Sequence, residues 1–221
     1  MKINLLTAFP EYFDSTICSI LKRALNQNLW QLNIINIRDY GLTKHKNIDD
    51  TPYGGGTGMV MRADVLGNAI EENKLDKNPI FITSPRGRIF NQSTAREMSK
   101  LDNFTIITNR FEGVDQRAIE YFNIQEISLG EFITLGGESI CMCIIESIVR
   151  LIPNVIKEDA TTFESFSKDS FIEHHHYTKP QVWKNIEIPK VLYSGDHKKI
   201  ELWRDTNSQE NLENFKKKNT K

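Results

Sequence analysis

The 221-residue chain carries a formal net charge of −1, with 39% apolar and 26% charged residues, which suits one large folded domain or one domain plus a small one. That balance excludes a chain that coats nucleic acid by bulk charge, so any nucleic-acid site must be a local patch. It holds no apolar run of about eighteen residues, which argues against a membrane span; MKINLLTAFPEYF reads as a first strand, not a signal peptide; and three cysteines without a CxxC pair, Cys18, Cys141 and Cys143, point to reduced thiols in a cytoplasmic setting.

In chain order, strand and helix patterns alternate. Residues 2–7 form a short β-rich run, and Phe13, Ile17, Ile20, Leu21 and Leu25 share one face of a helix predicted over 10–25. Trp30, Leu32, Ile34 and Ile37 then give a strand alternation ending at Arg38. This is the opening of an α/β fold. A polar loop follows over 38–62, with Asp49, Asp50, Pro52 and Tyr53 ahead of Gly54, Gly55, Gly56 and Gly58. Loops of this length inside a compact domain are functional or disordered. The GxxxxGK[ST] phosphate loop is absent, and GxGxxG fails because Met61 stands where the third glycine belongs. Arg38, Lys44, His45 and Lys46 suit contact with a phosphate backbone, although scattered basic residues also occur on any solvated face.

A helical pattern returns over 62–75 with Val65, Leu66 and Ile70, and residues 79–83 read as extended. Ser84-Pro85-Arg86-Gly87-Arg88 is expected to break that strand. After a helix over 91–101 and a strand over 104–108, NRFEGVDQR at 109–117 repeats the logic, with Gly113 as the break. A helix over 117–122 and a strand over 124–128 lead to LGEFITLGGESICMCIIESIVRL at 129–151. There Gly136 and Gly137 lack a Cβ, so the turn can take positive φ and its backbone can come close to a flat ligand. Ile140, Ile144, Ile145 and Ile148 recur at helical spacing, interrupted by Glu138, Glu146 and Arg150, charges that need partners or a use if buried. Open α/β sheets bind ligands outside the carboxyl ends of their strands. The turns at 83–87, 109–113 and 129–137 are therefore expected to converge on one pocket.

PYGGGTGM, SPRGR, NRFEGVDQR, LGEFITLGGE and HYTKP, in this order and spacing, resemble the bacterial tRNA (guanine-N1)-methyltransferases of the SPOUT class. The resemblance covers residues 1 to about 205. It implies an α/β SPOUT-type sheet with a deep trefoil knot, against the general rarity of knots, plus a small C-terminal helical domain. The implied division is a knotted S-adenosylmethionine-binding domain at 1–158, a flexible linker at 159–176 and a shortened tRNA-binding domain at 177–221. It also implies a homodimer with the active site at the subunit interface, and a cytoplasmic enzyme without membrane contact. Methyl transfer from S-adenosylmethionine to N1 of the guanosine 3′-adjacent to the anticodon, position 37, is the implied reaction.

By the same resemblance, Thr83, Ser84, Pro85, Asn109, Glu112, Gly113, Leu129, Gly130, Glu131, Phe132, Ile133, Thr134, Gly136 and Gly137 hold the donor, and Asp50, Tyr53, Gly54, Gly55 and His176 contact substrate. Guanine N1 is protonated at neutral pH and needs a base, and charge then develops on the exocyclic oxygen, where a guanidinium helps. Arg150 is the implied guanidinium. Two triplets, Glu164-Ser165-Phe166 and Asp169-Ser170-Phe171, offer the base; spacing from Pro153 favours Glu164 and residue wording favours Asp169. Some relatives use Mg2+. Here no carboxylate cage for it is visible, and His174, His175 and His176 lack the spacing of a zinc site.

From Lys184 onward nine Lys and Arg face six Asp and Glu, a bias suited to tRNA, and Ser194-Gly195-Asp196-His197 reads as the cap of a final helix. Asn109, Thr57 and Thr134-Leu135 stand where relatives usually have Gly, Pro and Leu-Ser. These departures keep a second reading in view: a catalytically weakened RNA-binding or dimerisation protein on the same fold.

Overall fold

A computed structural model describes residues 1–42, 44–167 and 171–219. The chain divides into two units, Met1–Ile156 and Lys157–Lys221.

The first unit is built on a five-stranded, all-parallel sheet. Its strands are β1 (Lys2–Thr7), β2 (Gln31–Asn36), β5 (Ile80–Ile89), β6 (Asn103–Ile107) and β7 (Gln125–Ser128), in the spatial order β2-β1-β6-β5-β7. The period-2 side-chain alternation of β structure sorts each strand between two cores. Ile3, Leu5, Phe81, Phe104 and Ile106 face one side, with α1 (Glu11–Thr16), α2 (Ser19–Asn26), α4 (Gln92–Met98) and α6 (Glu138–Val149). Leu6, Ile82 and Ile107 face the other, with α3 (Ala63–Glu72) and α5 (Gln116–Tyr121). Helices on both faces explain why the strands read as apolar runs. An asparagine ladder crosses the sheet, in which Asn33 donates to Asn4 at 3.1 Å and Asn4 to Asn103 at 3.0 Å.

Three local expectations change. The single helix over 10–25 splits after Thr16, whose hydroxyl donates to the Tyr12 carbonyl at 3.1 Å and so competes with the helical ladder. The helix over 62–75 stops at Glu72, because Lys74 turns left-handed (φ 55°) into a 3-10 turn at Leu75–Lys77. The SPRGR segment does not end its strand: Thr83 and Arg88 both pair with Ile127, so residues 84–87 bulge out and β5 resumes against β7. Gly87 makes this possible, since a Cβ there would stand 2.4 Å from the Glu126 and Ile127 backbone. A two-residue pair, β3 (Asp49–Asp50) with β4 (Val60–Met61), closes the base of the glycine-rich loop.

The second unit holds α7 (Asp159–Thr162), a hairpin of β8 (Val182–Trp183) and β9 (Ile186–Glu187), and the 23-residue α8 (His197–Asn219). Lys184 and Asn185 take positive φ, as a tight two-residue hairpin turn requires. Asp196 caps α8 by accepting from Lys199 N–H at 3.2 Å, as its sequence context predicts. Segment 172–177 lies along α8: Asn207 Oδ1 accepts from His175 N–H at 2.7 Å, Asn211 donates to the Glu173 carbonyl at 2.8 Å, and the His174 ring meets Trp203 edge-on.

Candidate active site

β6, β5 and β7 are neighbours, so the C-terminal ends of β6 and β7 and the bulge within β5 bring Asn109, Leu129 and Thr83 to one edge of the sheet. Hydrogen bonds fasten the three turns there. Thr83 Oγ1 accepts from Asn109 N–H at 3.0 Å, and Gly137 N–H donates to the Asn109 carbonyl at 2.8 Å. The cleft they enclose measures about 200 Å³. Of the residues expected around a donor, Thr83, Ser84, Pro85, Asn109, Glu112, Leu129, Gly130, Phe132, Ile133, Thr134, Gly136 and Gly137 line it. Gly113 and Glu131 do not: the Gly113 carbonyl accepts from Met61 N–H at 2.9 Å, and Glu131 is exposed.

The glycine pair works differently from the sequence expectation. Gly137 has φ −80°, and Gly136 is absent from the positive-φ glycines, which include Gly113 and Gly130. Both positions are small because protein atoms fill the space. A Cβ on Gly137 would stand 2.0 Å from Thr83 Oγ1 and 2.8 Å from Asn109 N, and one on Gly136 would stand 2.4 Å from Arg110 Nε. The pair lets the three turns close on one another, a constraint invisible in the sequence alone.

Arg110, Phe111, Leu135 and Ile140 also line the cleft, beyond the motif reading. Arg110 answers the buried charge at the start of α6. Its Nε donates to Glu138 Oε1 at 3.1 Å and a terminal nitrogen lies 3.1 Å from Oε2, with the Glu138 side chain only 3% exposed. A carboxylate in the first turn of a helix also interacts well with the helix dipole. A lone arginine in a strand-end turn, with an unexplained acid at a buried helix start, was the signal for this pair.

The chemistry of the cleft walls is mixed. Pro85, Leu129 and Ile133 supply apolar surface, and Asn109 Oδ1 is buried without a donor among the described residues. An orphaned acceptor of this kind suits a small ligand with N–H groups on a flat ring.

A second, more open cleft of about 1090 Å³ includes Asp50, Tyr53, Arg62, Asp64, Asp115, Arg117 and Tyr121. Tyr53 is fully exposed; Gly54 and Gly55 take positive φ beside it and are not among its lining residues. Hydrogen bonding by Arg62 holds the Asp64 carboxyl below the usual range, and Arg117 does the same for Asp115. The glycine-rich loop is stitched to the first cleft, since Glu112 N–H donates to the Met59 carbonyl at 2.9 Å. Gly58, at φ +87°, sits where a Cβ would be 2.5 Å from Glu112 Cγ.

Arg150 caps the far end of α6 and lines neither cleft. The twelve helical residues between place it about 18 Å from the glycine pair at 1.5 Å per residue. Glu164 and His176 belong to the second unit. Glu164 is half-buried and its carbonyl accepts from Ser167 N–H at 2.9 Å, and His176 Nε2 lies 3.4 Å from Glu173 Oε1. Asp169 lies outside the described residues. Among the described residues no three His, Cys, Asp or Glu side chains are grouped to hold a metal, and no helix is long and apolar enough to cross a membrane.

Comparison with known proteins gives one consistent answer. A family profile described as "tRNA (Guanine-1)-methyltransferase TrmD" matches residues 1–219. Similar curated proteins are each named tRNA (guanine-N(1)-)-methyltransferase. That of Ehrlichia canis is 42% identical over 212 residues, covering 94% of this chain and 90% of the relative. That of Rickettsia akari is 46% identical over 215 residues, covering 93% and 92%. That of Rickettsia prowazekii is 45% identical over 217 residues, covering 94% and 92%.

Proposed function

The chain belongs to the tRNA (guanine-1)-methyltransferase family, and from that premise we propose how its residues divide the work of moving a methyl group from S-adenosylmethionine to N1 of a tRNA guanosine. The observation that carries the reading is the hydrogen-bonded junction of Thr83, Asn109 and Gly137, which makes one cleft of three distant turns.

S-adenosylmethionine fits that cleft by its chemistry. Its adenine offers a flat face to Pro85, Leu129 and Ile133 and an amino group to backbone carbonyls or to Asn109 Oδ1. When bound, it supplies an electrophilic sulfonium methyl. The protein's own part is to hold guanine in line with that methyl, remove the N1 proton and stabilise the charge that appears on the ring. Glu164 and Asp169 remain the two candidates for the base, and Arg150 is the guanidinium. Because Arg150 stands about 18 Å from the glycine pair of its own chain by helix rise, a second copy is the natural source of it. That agrees with a homodimer whose active site spans the subunit interface.

The reading further assigns the target to the guanosine 3′-adjacent to the anticodon and the enzyme to the cytoplasm. Residues 1–158 are the donor-binding domain, threaded as a trefoil knot, 159–176 the linker and 177–221 the tRNA-binding domain. Asp50, Tyr53, Gly54, Gly55 and His176 contact the RNA, and Gly113 and Glu131, although outside the lining of the cleft, stay with the donor-binding set. No three His, Cys, Asp or Glu side chains are grouped to hold a metal among the described residues, so no step is assigned to Mg2+.

Mass spectrometry of bulk tRNA after incubation with protein and S-adenosylmethionine tests the reading. It predicts 1-methylguanosine at one position beside the anticodon in a subset of tRNAs. A methyl elsewhere, or none, overturns it.

A further inference from the structure

We infer that Arg110 is a positioning residue for the donor cleft: it acts as a strut that fixes the Leu135 carbonyl and the glycine pair, without touching the transferred methyl. The inference rests on the methyltransferase reading and extends it to a residue outside the motif assignments.

Each of the three guanidinium nitrogens of Arg110 has a protein partner. Two engage the Glu138 carboxylate at 3.1 Å each, and Nη1 donates to the Leu135 carbonyl at 3.1 Å. The flat face of the group lies 4.3 Å from the centre of the Phe9 ring, at the end of β1, a cation–π distance. Its edge presses on Gly136, where any Cβ would come within 2.5 Å of both Cζ and Glu138 Oε2. The group is therefore held on several sides by protein.

What it holds is otherwise weakly supported. Leu135 is 99% exposed and Ile133 80% exposed, so this stretch of the cleft wall has few apolar contacts of its own. Its internal support is a bond from Thr134 Oγ1 to the Gly136 carbonyl at 2.7 Å. A planar fork can grip a buried carboxylate and a neighbouring carbonyl at once; a lysine offers a single ammonium and cannot span both sites with the same geometry. The arginine therefore sets the position of residues 134–136 relative to the start of α6. Because those residues wall the cleft, donor affinity should depend on it more than the chemical step does.

The test compares wild type with Arg110→Lys and with Arg110→Ala combined with Glu138→Gln, which leaves no buried carboxylate unpaired. S-adenosylmethionine affinity is measured by calorimetry, and kcat and donor KM with tRNA at saturation. The expected result is a donor Kd and KM raised at least tenfold in both variants, with kcat at saturating donor within about threefold of wild type and cooperative melting retained. Wild-type donor KM in the lysine variant overturns the inference, as does a collapse of kcat at unchanged donor affinity, which would place Arg110 on the reacting atoms. Loss of cooperative melting in the lysine variant overturns it in favour of a purely structural role. Failure of the wild-type protein to bind the donor or methylate tRNA would instead refute the methyltransferase reading, so the two failures are distinguishable.

Discussion

Thr83 and Gly137 meet so closely that the threonine hydroxyl occupies the place of any side chain at 137: a Cβ there would stand 2.0 Å from Thr83 Oγ1. The same hydroxyl accepts from Asn109 N–H, so it cannot move away without breaking the junction of the turns. Gly137→Ala should destabilise the protein by about 1–3 kcal/mol, the usual range for forcing atoms into a filled core. It should also weaken donor binding strongly. Adding Thr83→Ala to that variant should restore part of the stability, because the obstructing atom is gone, and chemical denaturation of the four proteins would show the coupling.

Glu138 is the next sensitive point. Glu138→Ala leaves the Arg110 guanidinium without its anion at a site where it is only 26% exposed. Removing one partner of a fully buried pair costs about 3–5 kcal/mol, and partial access to water places this case at or below the lower end. Urea melting should show it.

The chemical roles separate by kinetics. Arg150→Ala should lower kcat by roughly a hundredfold to a thousandfold, the size of losing one charge-stabilising donor, while calorimetric donor affinity stays near wild type. Of Glu164→Gln and Asp169→Asn, the one that abolishes turnover at all pH values marks the base. Full activity of the Arg150 variant would remove its assignment.

Asp115 caps α5, accepting from Arg117 N–H at 3.0 Å, and pairs with the Arg117 side chain at 2.7 Å. Its carboxyl is held below the usual range, first by the hydrogen bond from that side chain. Its contribution is therefore fully present above the unfolded carboxylate pKa of about 4 and is lost as pH falls through the lower folded value. Asp115→Ala should cost about 1 kcal/mol at neutral pH, as lost caps do. The difference from wild type should vanish in strong acid, which thermal melting against pH would reveal.

His174 gives the opposite residue type with the same sign. Burial, then the neighbouring His176 and Arg204, hold its imidazole below the ordinary value, against weaker opposing effects of Glu173 and Asp205. The folded second unit prefers the neutral ring, so its stability is full above a pH of about 6.5 and falls as the pH drops from there through the folded pKa. An NMR titration should place the ring's midpoint below that of a free histidine. His174→Phe should flatten the acid-side decline in the stability of α8.

Local periodicity and turn chemistry in the chain specify the alternation of strands and helices, the apolar face of α6, the Asp196 cap and the breaks after β6 and β7, whereas the break expected at 84–87 is a bulge inside β5. The chain's motifs also carried the family. That β6, β5 and β7 stand side by side, that β5 bulges and resumes, and that the glycine pair is small to admit Thr83, Asn109 and Arg110 emerges with folding alone. Those facts depend on which distant backbones touch, and contact between residues 26 or 28 positions apart leaves no periodic trace in the chain. The Arg110–Glu138 pair shows the division most simply: each charge was legible alone, and their meeting was a property of the fold.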